Sequence, residues 1–456
     1  MTEALRSYDP ASGDLVGEVL RTSPEDVPAV VAAARAAAPG WAARTLTERL
    51  ELLERAAPRL EAEVAALTAL VTREMGKPTE DARGEVSWIA KSFVDTCREI
   101  AASLEPEVVT RGSLRSTIHH VPHGVCAAIT PWNFPLMMPH WLALPALIAG
   151  NAVVLKPSEE TPLVAQRYAE LIGVDLPEGV LQVIHGEGDT GRALVASEVD
   201  LIAFTGSRAA GREILASASQ GLKRVILELG GKDPLIVLAD ADPEKAAAFA
   251  AKNGFRNAGQ VCVSTERIYV DRSIAERFEE ALARIAGEVQ VGPGSQEGVT
   301  LGPLVNATQK AHVEAQVKTA LGEGARLLAG GDSREGNFLS ATVLSECTHD
   351  MEIMREETFG PVLCVTRVEG DEEALRLAND TPYGLGAVVY GGDLARAEAI
   401  AARVEAGMVG VNRSCGGIEG TPWVGAKQSG YGFHGGVAGH RQFAIPRVVT
   451  TRLPKE

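Results

Sequence analysis

Two residues in this sequence of 456 stand out for the chemistry their surroundings permit: Glu228 and Cys262. Glu228 lies in Leu227-Glu228-Leu229-Gly230-Gly231, a carboxylate inside a run that reads as a buried strand. An ion there is costly unless it is paired or functional, and burial raises its pKa toward the range of a general base. Cys262 closes Asn257-Ala258-Gly259-Gln260-Val261-Cys262, after a predicted helix and before a predicted strand. The six cysteines (Cys97, Cys126, Cys262, Cys347, Cys364 and Cys415) include no C-x-x-C pair, so neither a disulfide framework nor a zinc site is indicated. A lone cysteine is usually a small buried hydrophobe. Neither residue decides a function alone.

Two further segments have the form of phosphate and ribose contacts. Leu201 to Gly211 reads as strand, tight glycine turn at Gly206-Ser207, then helix start. Glycine turns and helix N-termini present free N–H groups to phosphate. The segment lacks G-x-G-x-x-G spacing, so a plain turn accounts for it equally well. Lys156-Pro157-Ser158-Glu159 follows the strand Val153–Leu155, at the carboxyl end where α/β sheets bind ligands. A carboxylate there can accept both hydroxyls of an adenosine ribose and would repel a 2′-phosphate. An exposed Lys and Glu ahead of a helix is the plainer reading.

The elements that must position these residues alternate. Strands are expected at Val153–Leu155, Val180–His185, Leu201–Phe204 and Val225–Leu229, with helices at Thr161–Ile172, Thr190–Ser197 and Ala209–Ser219 between them. Thr161 is the expected cap of the first helix, with Pro162 at N1. Such repeats imply a parallel sheet covered on both faces. A second α/β stretch runs from about 262 to 410, with helices near Ile274–Ile285 and Thr308–Leu321. The first hundred residues read as mostly helical: Ser23-Pro24-Glu25-Asp26 has the form of a helix start, and Leu46, Leu50, Leu53, Leu60, Val64, Leu67 and Val71 recur at helical spacing up to Gly76. Residues 107–124 read as extended, and the glycine-rich tail ends in an extended Arg447–Leu453.

Length calls for two or three domains. Asp plus Glu outnumber Lys plus Arg by 60 to 44, a net charge of −16, which argues against nucleic acid and anionic membrane as partners. The apolar run Trp141 to Gly150 is too short to span a bilayer, and MTEALRSYDP lacks the layout of a signal peptide, so a cytoplasmic location is expected. His119, His120 and His123 cluster, but a strand puts His119 and His120 on opposite faces with no Cys or paired carboxylate joining them. No metal is expected.

Taken together, the segments resemble the NAD(P)-dependent aldehyde dehydrogenase superfamily along essentially the whole chain. The motifs that carry the resemblance are Pro131-Trp132-Asn133-Phe134-Pro135, Gly150 to Glu159, Phe204-Thr205-Gly206-Ser207, Leu227 to Lys232, Gly259-Gln260-Val261-Cys262 and Glu356-Glu357-Thr358-Phe359-Gly360-Pro361. The resemblance implies that Cys262 attacks the aldehyde carbon and that Asn133, with the Cys262 backbone N–H, forms the oxyanion hole. Glu228 would be the base that activates the hydrolytic water. Lys156, Glu159, Gly206, Ser207, Glu357, Phe359 and Trp132 would contact the cofactor, NAD in preference to NADP. Phe134, Trp141 and Trp423 would line a substrate tunnel, although core packing is the alternative for each.

The chain departs from the family pattern at three places. Pro422-Trp423-Val424-Gly425 stands where Pro-Phe-Gly-Gly is usual, Phe433 where arginine is common, and Asp233 where a small polar residue is usual. The implied fold has a Rossmann-type cofactor domain (1–106 and 125–230), an α/β catalytic domain (231–430), and a small β oligomerisation flap (107–124 and 444–453) serving a homodimer or homotetramer. The rival readings are a coenzyme A-acylating semialdehyde dehydrogenase, disfavoured by Glu228 because acylating members lack a glutamate there, and a catalytically silent binding protein.

Overall fold

The computed structural model describes residues 4–454. Two largely parallel sheets dominate it. The first orders its strands Gly430–Tyr431, Arg224–Glu228, Leu201–Thr205, Val125–Ile129, Ala152–Lys156 and Leu181–Val183, parallel except for the first. Its central strands are apolar up to their last residue, and alternate residues face two separate cores: Cys126, Ala128, Val153 and Leu155 one side, Val125, Ala127, Ala152 and Val154 the other. A two-residue side-chain period with both faces covered explains why these strands read as continuous hydrophobic runs.

The second sheet orders Arg326–Ala329, Thr342–Ser345, Val362–Val368, Thr265–Asp271, Asp233–Val237, Gly386–Tyr390 and Met408–Val411, with only Arg326–Ala329 antiparallel. The long strand Ala444–Arg452 pairs antiparallel with Leu114–Pro122, which pairs with Glu107–Arg111 to complete a three-stranded sheet. That sheet leaves Val108, Val109, Leu114, Val448 and Val449 exposed.

The expected helices and strands are present, with local differences. The first helix spans Val27–Ala42 rather than starting at Ser23, because the Ser23 hydroxyl bonds the Asp26 carboxylate at 2.9 Å and closes a separate turn. The strand expected over Val180–His185 is confined to Leu181–Val183, since the His185 carbonyl is taken by Thr22 N–H. Thr161 precedes the helix Pro162–Gly173 but makes no side-chain cap bond. Glu74, from the distant helix Val64–Met75, instead accepts the N–H groups of Leu163 (3.0 Å) and Val164 (2.7 Å). The glycine-rich tail also holds a short helix, Gly436–His440. The clustered histidines turn to backbone: His120 Nδ1 lies 3.3 Å from the Leu104 carbonyl and His123 Nε2 3.1 Å from that of Gln442.

Lys156, Thr205 and Glu228 all sit at the last position of a parallel strand of the first sheet, and Asn133 follows closely after another, Val125–Ile129. The carboxyl edge of one sheet therefore gathers Asn133, Lys156 and Glu228, as expected for an open α/β sheet, while Cys262, Glu357 and Phe359 come from segments that precede strands of the second.

Candidate active site

Cys262 is placed by a contorted approach. The helix Pro243–Phe255 ends, and Asn257 (φ 51°), Ala258 (φ 54°) and Gly259 (φ 71°) follow in the left-handed region. A non-glycine residue there costs about 1–3 kcal/mol and persists only where its surroundings over-determine it. Those surroundings are specific. Asn257 Nδ2 donates to the carbonyls of Asn133 (3.1 Å) and Gln260 (3.2 Å), Gln260 Nε2 donates to the Asn257 carbonyl (3.1 Å), and Gln260 Oε1 accepts from Val305 N–H (2.9 Å). Gly259 admits no substitute, since a Cβ would fall 1.9 Å from the Gly360 carbonyl oxygen.

Asn133 is buried, and its Nδ2 donates to the Gln260 carbonyl at 3.0 Å. That bond fixes the amide against the cysteine's own loop and leaves its second N–H available to a ligand. Asn133, Glu228, Cys262 and Phe134 line one cavity of about 260 Å³, together with Trp132, Thr205, Gly206, Glu357 and Phe359.

Glu228 is buried, and its Oε1 accepts from Trp423 Nε1 at 3.3 Å. Its Oε2 and the neighbouring Thr205 Oγ1 are both buried without a hydrogen-bond partner among the described residues. Burial raises the Glu228 pKa, while the adjacent Cys262 thiol and the Trp423 indole oppose the rise. The Cys262 thiol is pushed well up, first by burial and then by the Glu228 carboxylate beside it. A thiol and a carboxylate so placed titrate as a coupled pair.

A second cavity of about 610 Å³ shares Pro131, Trp132, Thr205, Gly206 and Ser207 with the first and continues past Lys156, Ser158 and Glu159. Lys156 Nζ is buried, 3.7 Å from Glu159 Oε2, whose side chain is 42% exposed and so accessible to a ligand. Ser207 caps the helix Arg208–Gln220, its Oγ accepting from Ala210 N–H at 3.2 Å. Gly206 is cramped: a Cβ would stand 2.4 Å from the Phe204 ring. A glycine turn at a helix N-terminus, a buried lysine and an accessible carboxylate fit the diphosphate and ribose of a dinucleotide.

On the wall of the first cavity, Glu357 Oε1 accepts from Gly231 N–H at 3.0 Å, and burial, then Glu266, push the Glu357 carboxyl up to about 8. Trp132 meets the Phe359 ring edge-on at 5.4 Å between centroids. Phe359 takes a left-handed φ of 49°, sustained by a buried anchor. Glu266 accepts the N–H groups of Thr358 and Phe359, each at 2.9 Å, and is itself paired with Lys232.

All three expected catalytic residues, and the expected cofactor residues, thus border these two joined cavities. Phe134 lines the first, whereas Trp141 and Trp423 do not; they pack on each other at 5.4 Å and on the buried His434 at 5.3 and 6.4 Å. Sequence reasoning gave no role to Asn257 and Gln260, although both lie in the quoted cysteine motif. It also missed Lys232 with Glu266, and Trp423 as a hydrogen-bond donor.

Comparison with known proteins agrees with this geometry. The profile of the aldehyde dehydrogenase family matches residues 1–449. The NADP-dependent succinate-semialdehyde dehydrogenase of Escherichia coli is 38% identical over 440 residues, covering 95% of this chain and 91% of that protein. The chloroplastic betaine aldehyde dehydrogenase of Beta vulgaris is 36% identical, covering 98% and 93%. The solved betaine aldehyde dehydrogenase of Staphylococcus aureus in complex with NAD+ superposes with a TM-score of 0.95 at 32% identity, covering 100% of this chain and 92% of that one. Fold and site together define an NAD(P)-dependent oxidoreductase acting on aldehydes. The chain belongs to the aldehyde dehydrogenase family.

Proposed function

We propose that this protein oxidises an aldehyde to its carboxylate through a thioester on Cys262, hydrolysed with Glu228 as base. The observation that carries the reading is the convergence of Cys262, Glu228 and Asn133 on one small cavity that opens into the dinucleotide-shaped one. Cys262 reacts as its thiolate, which adds to the carbonyl carbon. The second N–H of Asn133 and the Cys262 N–H stabilise the oxyanion, a few kcal/mol per donor. When bound, the dinucleotide supplies the hydride acceptor. Lys156, Glu159, Gly206 and Ser207 would hold its adenosine and diphosphate half, and Glu357, Phe359 and Trp132 would contact its reactive half. Collapse of the oxyanion leaves the acyl group on the Cys262 sulfur. Glu228, whose Oε2 has no hydrogen-bond partner among the described residues, then draws a proton from water, which attacks the thioester and frees the acid.

Glu159 supports NAD over NADP, because a 2′-phosphate would meet its carboxylate. Residues 1–106 and 125–230 form the cofactor unit and 231–430 the catalytic unit. The strands within 107–124 and 444–453 are the oligomer contact of a homodimer or homotetramer, a role supported by the exposed valines of that sheet. No helix of the described residues is long and apolar enough to cross a membrane, which is compatible with a cytoplasmic enzyme. The test is Cys262→Ala: turnover is lost while fold and dinucleotide binding stay. Retained turnover overturns the reading, and NADH formation that requires coenzyme A favours the acylating alternative.

A further inference from the structure

Asn133 is pinned on one side by the cysteine loop, through Gln260 and Asn257. Its other side is fixed by two charged residues far from the chemistry. The helix Met137–Ala149 begins almost immediately after Asn133, and Leu136 at its cap position offers no side-chain acceptor. The helix Thr79–Ser103 supplies one: Glu85 Oε1 accepts the N–H groups of Leu136 (3.1 Å) and Met137 (3.0 Å). The other oxygen of Glu85 is held by Lys77 Nζ at 2.6 Å, and both side chains are 1% exposed. Lys77 Nζ also stands 3.9 Å above the centroid of the Phe134 ring, the residue next to Asn133.

A Ser or Asn at position 136 would cap this helix at far lower cost than two buried charges. The ion pair adds fixation in three dimensions: it grips residues 134, 136 and 137 from one rigid point. It reaches no further, since neither Lys77 nor Glu85 borders the two site cavities.

We propose that Glu85, clamped by Lys77, is a positioning residue that sets the place of the Asn133 amide in the oxyanion hole. The inference rests on the role of Asn133 proposed above. Displacing such a donor by about 1 Å costs on the order of 100-fold in rate.

The test is a double-mutant cycle in the intact protein. Glu85→Ala is expected to lower kcat by about 10- to 100-fold, with KM for NAD and NAD binding unchanged, and Glu85→Gln, which keeps an acceptor for Leu136 and Met137, to recover most of the loss. In an Asn133→Ala background, Glu85→Ala is expected to cost little more, because the donor it positions is gone. Lys77→Met run through the same cycle is the second variant, should Glu85→Ala fold poorly. A loss of equal size in both backgrounds, or one matched by weaker NAD binding, overturns the positioning role. An Asn133→Ala protein with native turnover instead overturns the oxyanion-hole reading, which the cycle thereby separates from this one.

Discussion

Trp423 Nε1 donates a hydrogen bond of 3.3 Å to Oε1 of Glu228, tying the short strand Trp423–Val424 to the carboxylate at the end of the strand Arg224–Glu228. A tryptophan that reads from sequence as a tunnel wall is also a partner of the proposed base.

Replacing Trp423 by Phe removes that donor and keeps an aromatic ring. Burial already raises the Glu228 pKa, and the indole N–H opposes the rise. Its loss pushes the pKa further up. Because Glu228 acts deprotonated, the rising limb of the kcat–pH profile is expected to move to higher pH by about 1 unit, the lower end of the worth of a hydrogen bond to a charged group. A limb that stays in place would separate Trp423 from the titrating group.

Glu228→Gln is expected to let the thioester form and then persist. Rapid mixing would show a burst of up to about one NADH per site, then a steady state slower by roughly 100- to 10,000-fold, with the acyl group on Cys262 by mass spectrometry. Loss of the burst itself would place Glu228 in activation of the thiol.

At the dinucleotide cavity, Glu159→Gln removes the charge that would oppose a 2′-phosphate. The ratio of kcat/KM for NADP over NAD is expected to rise about tenfold, the equivalent of about 1.4 kcal/mol of relieved repulsion. Steady-state kinetics with both cofactors measure it, and an unchanged ratio removes Glu159 from the discrimination.

Asp233 offers a test by stability. It is buried, accepts from Gly386 N–H at 3.1 Å, and is pushed up to about 8, chiefly by burial. A carboxyl raised in the folded state keeps its proton there at pH values where the unfolded chain has lost it. Its contribution is therefore full below the unfolded pKa and fades as pH climbs through the folded one. Asp233→Asn, which keeps the acceptor for Gly386, is expected to flatten the fall in Tm between about pH 4 and 8 and to raise Tm at pH 8 by on the order of 2–5 °C. Parallel melting curves of the two proteins across that range would contradict it.

Much of this arrangement is legible in the sequence because it is local. Runs such as Ala152–Lys156 and Leu201–Thr205 announce buried parallel strands, and each site motif is a contiguous string ending at a strand or helix terminus. What escapes sequence reading is the long-range hydrogen bonding that holds those strings in place. Glu74 caps a helix 89 residues away, Glu85 another 51 residues away, and Trp423 reaches Glu228 across 195. Thr161 has the residue type of a cap and does not serve as one, since local propensity cannot reveal that a buried carboxylate arrives first. The left-handed turn at Asn257 and Ala258 is hidden for the same reason: its stability lies in partners supplied by other segments.

The near-contact of Gly259 with the Gly360 carbonyl has a mechanical corollary. With main chain against main chain there is no side chain to yield, so the thiol's loop cannot come closer to the loop that follows Phe359 without moving backbone. The relative place of these two loops is thus settled at one point where the chain touches itself, as two boards are by a single dowel, before any ligand arrives.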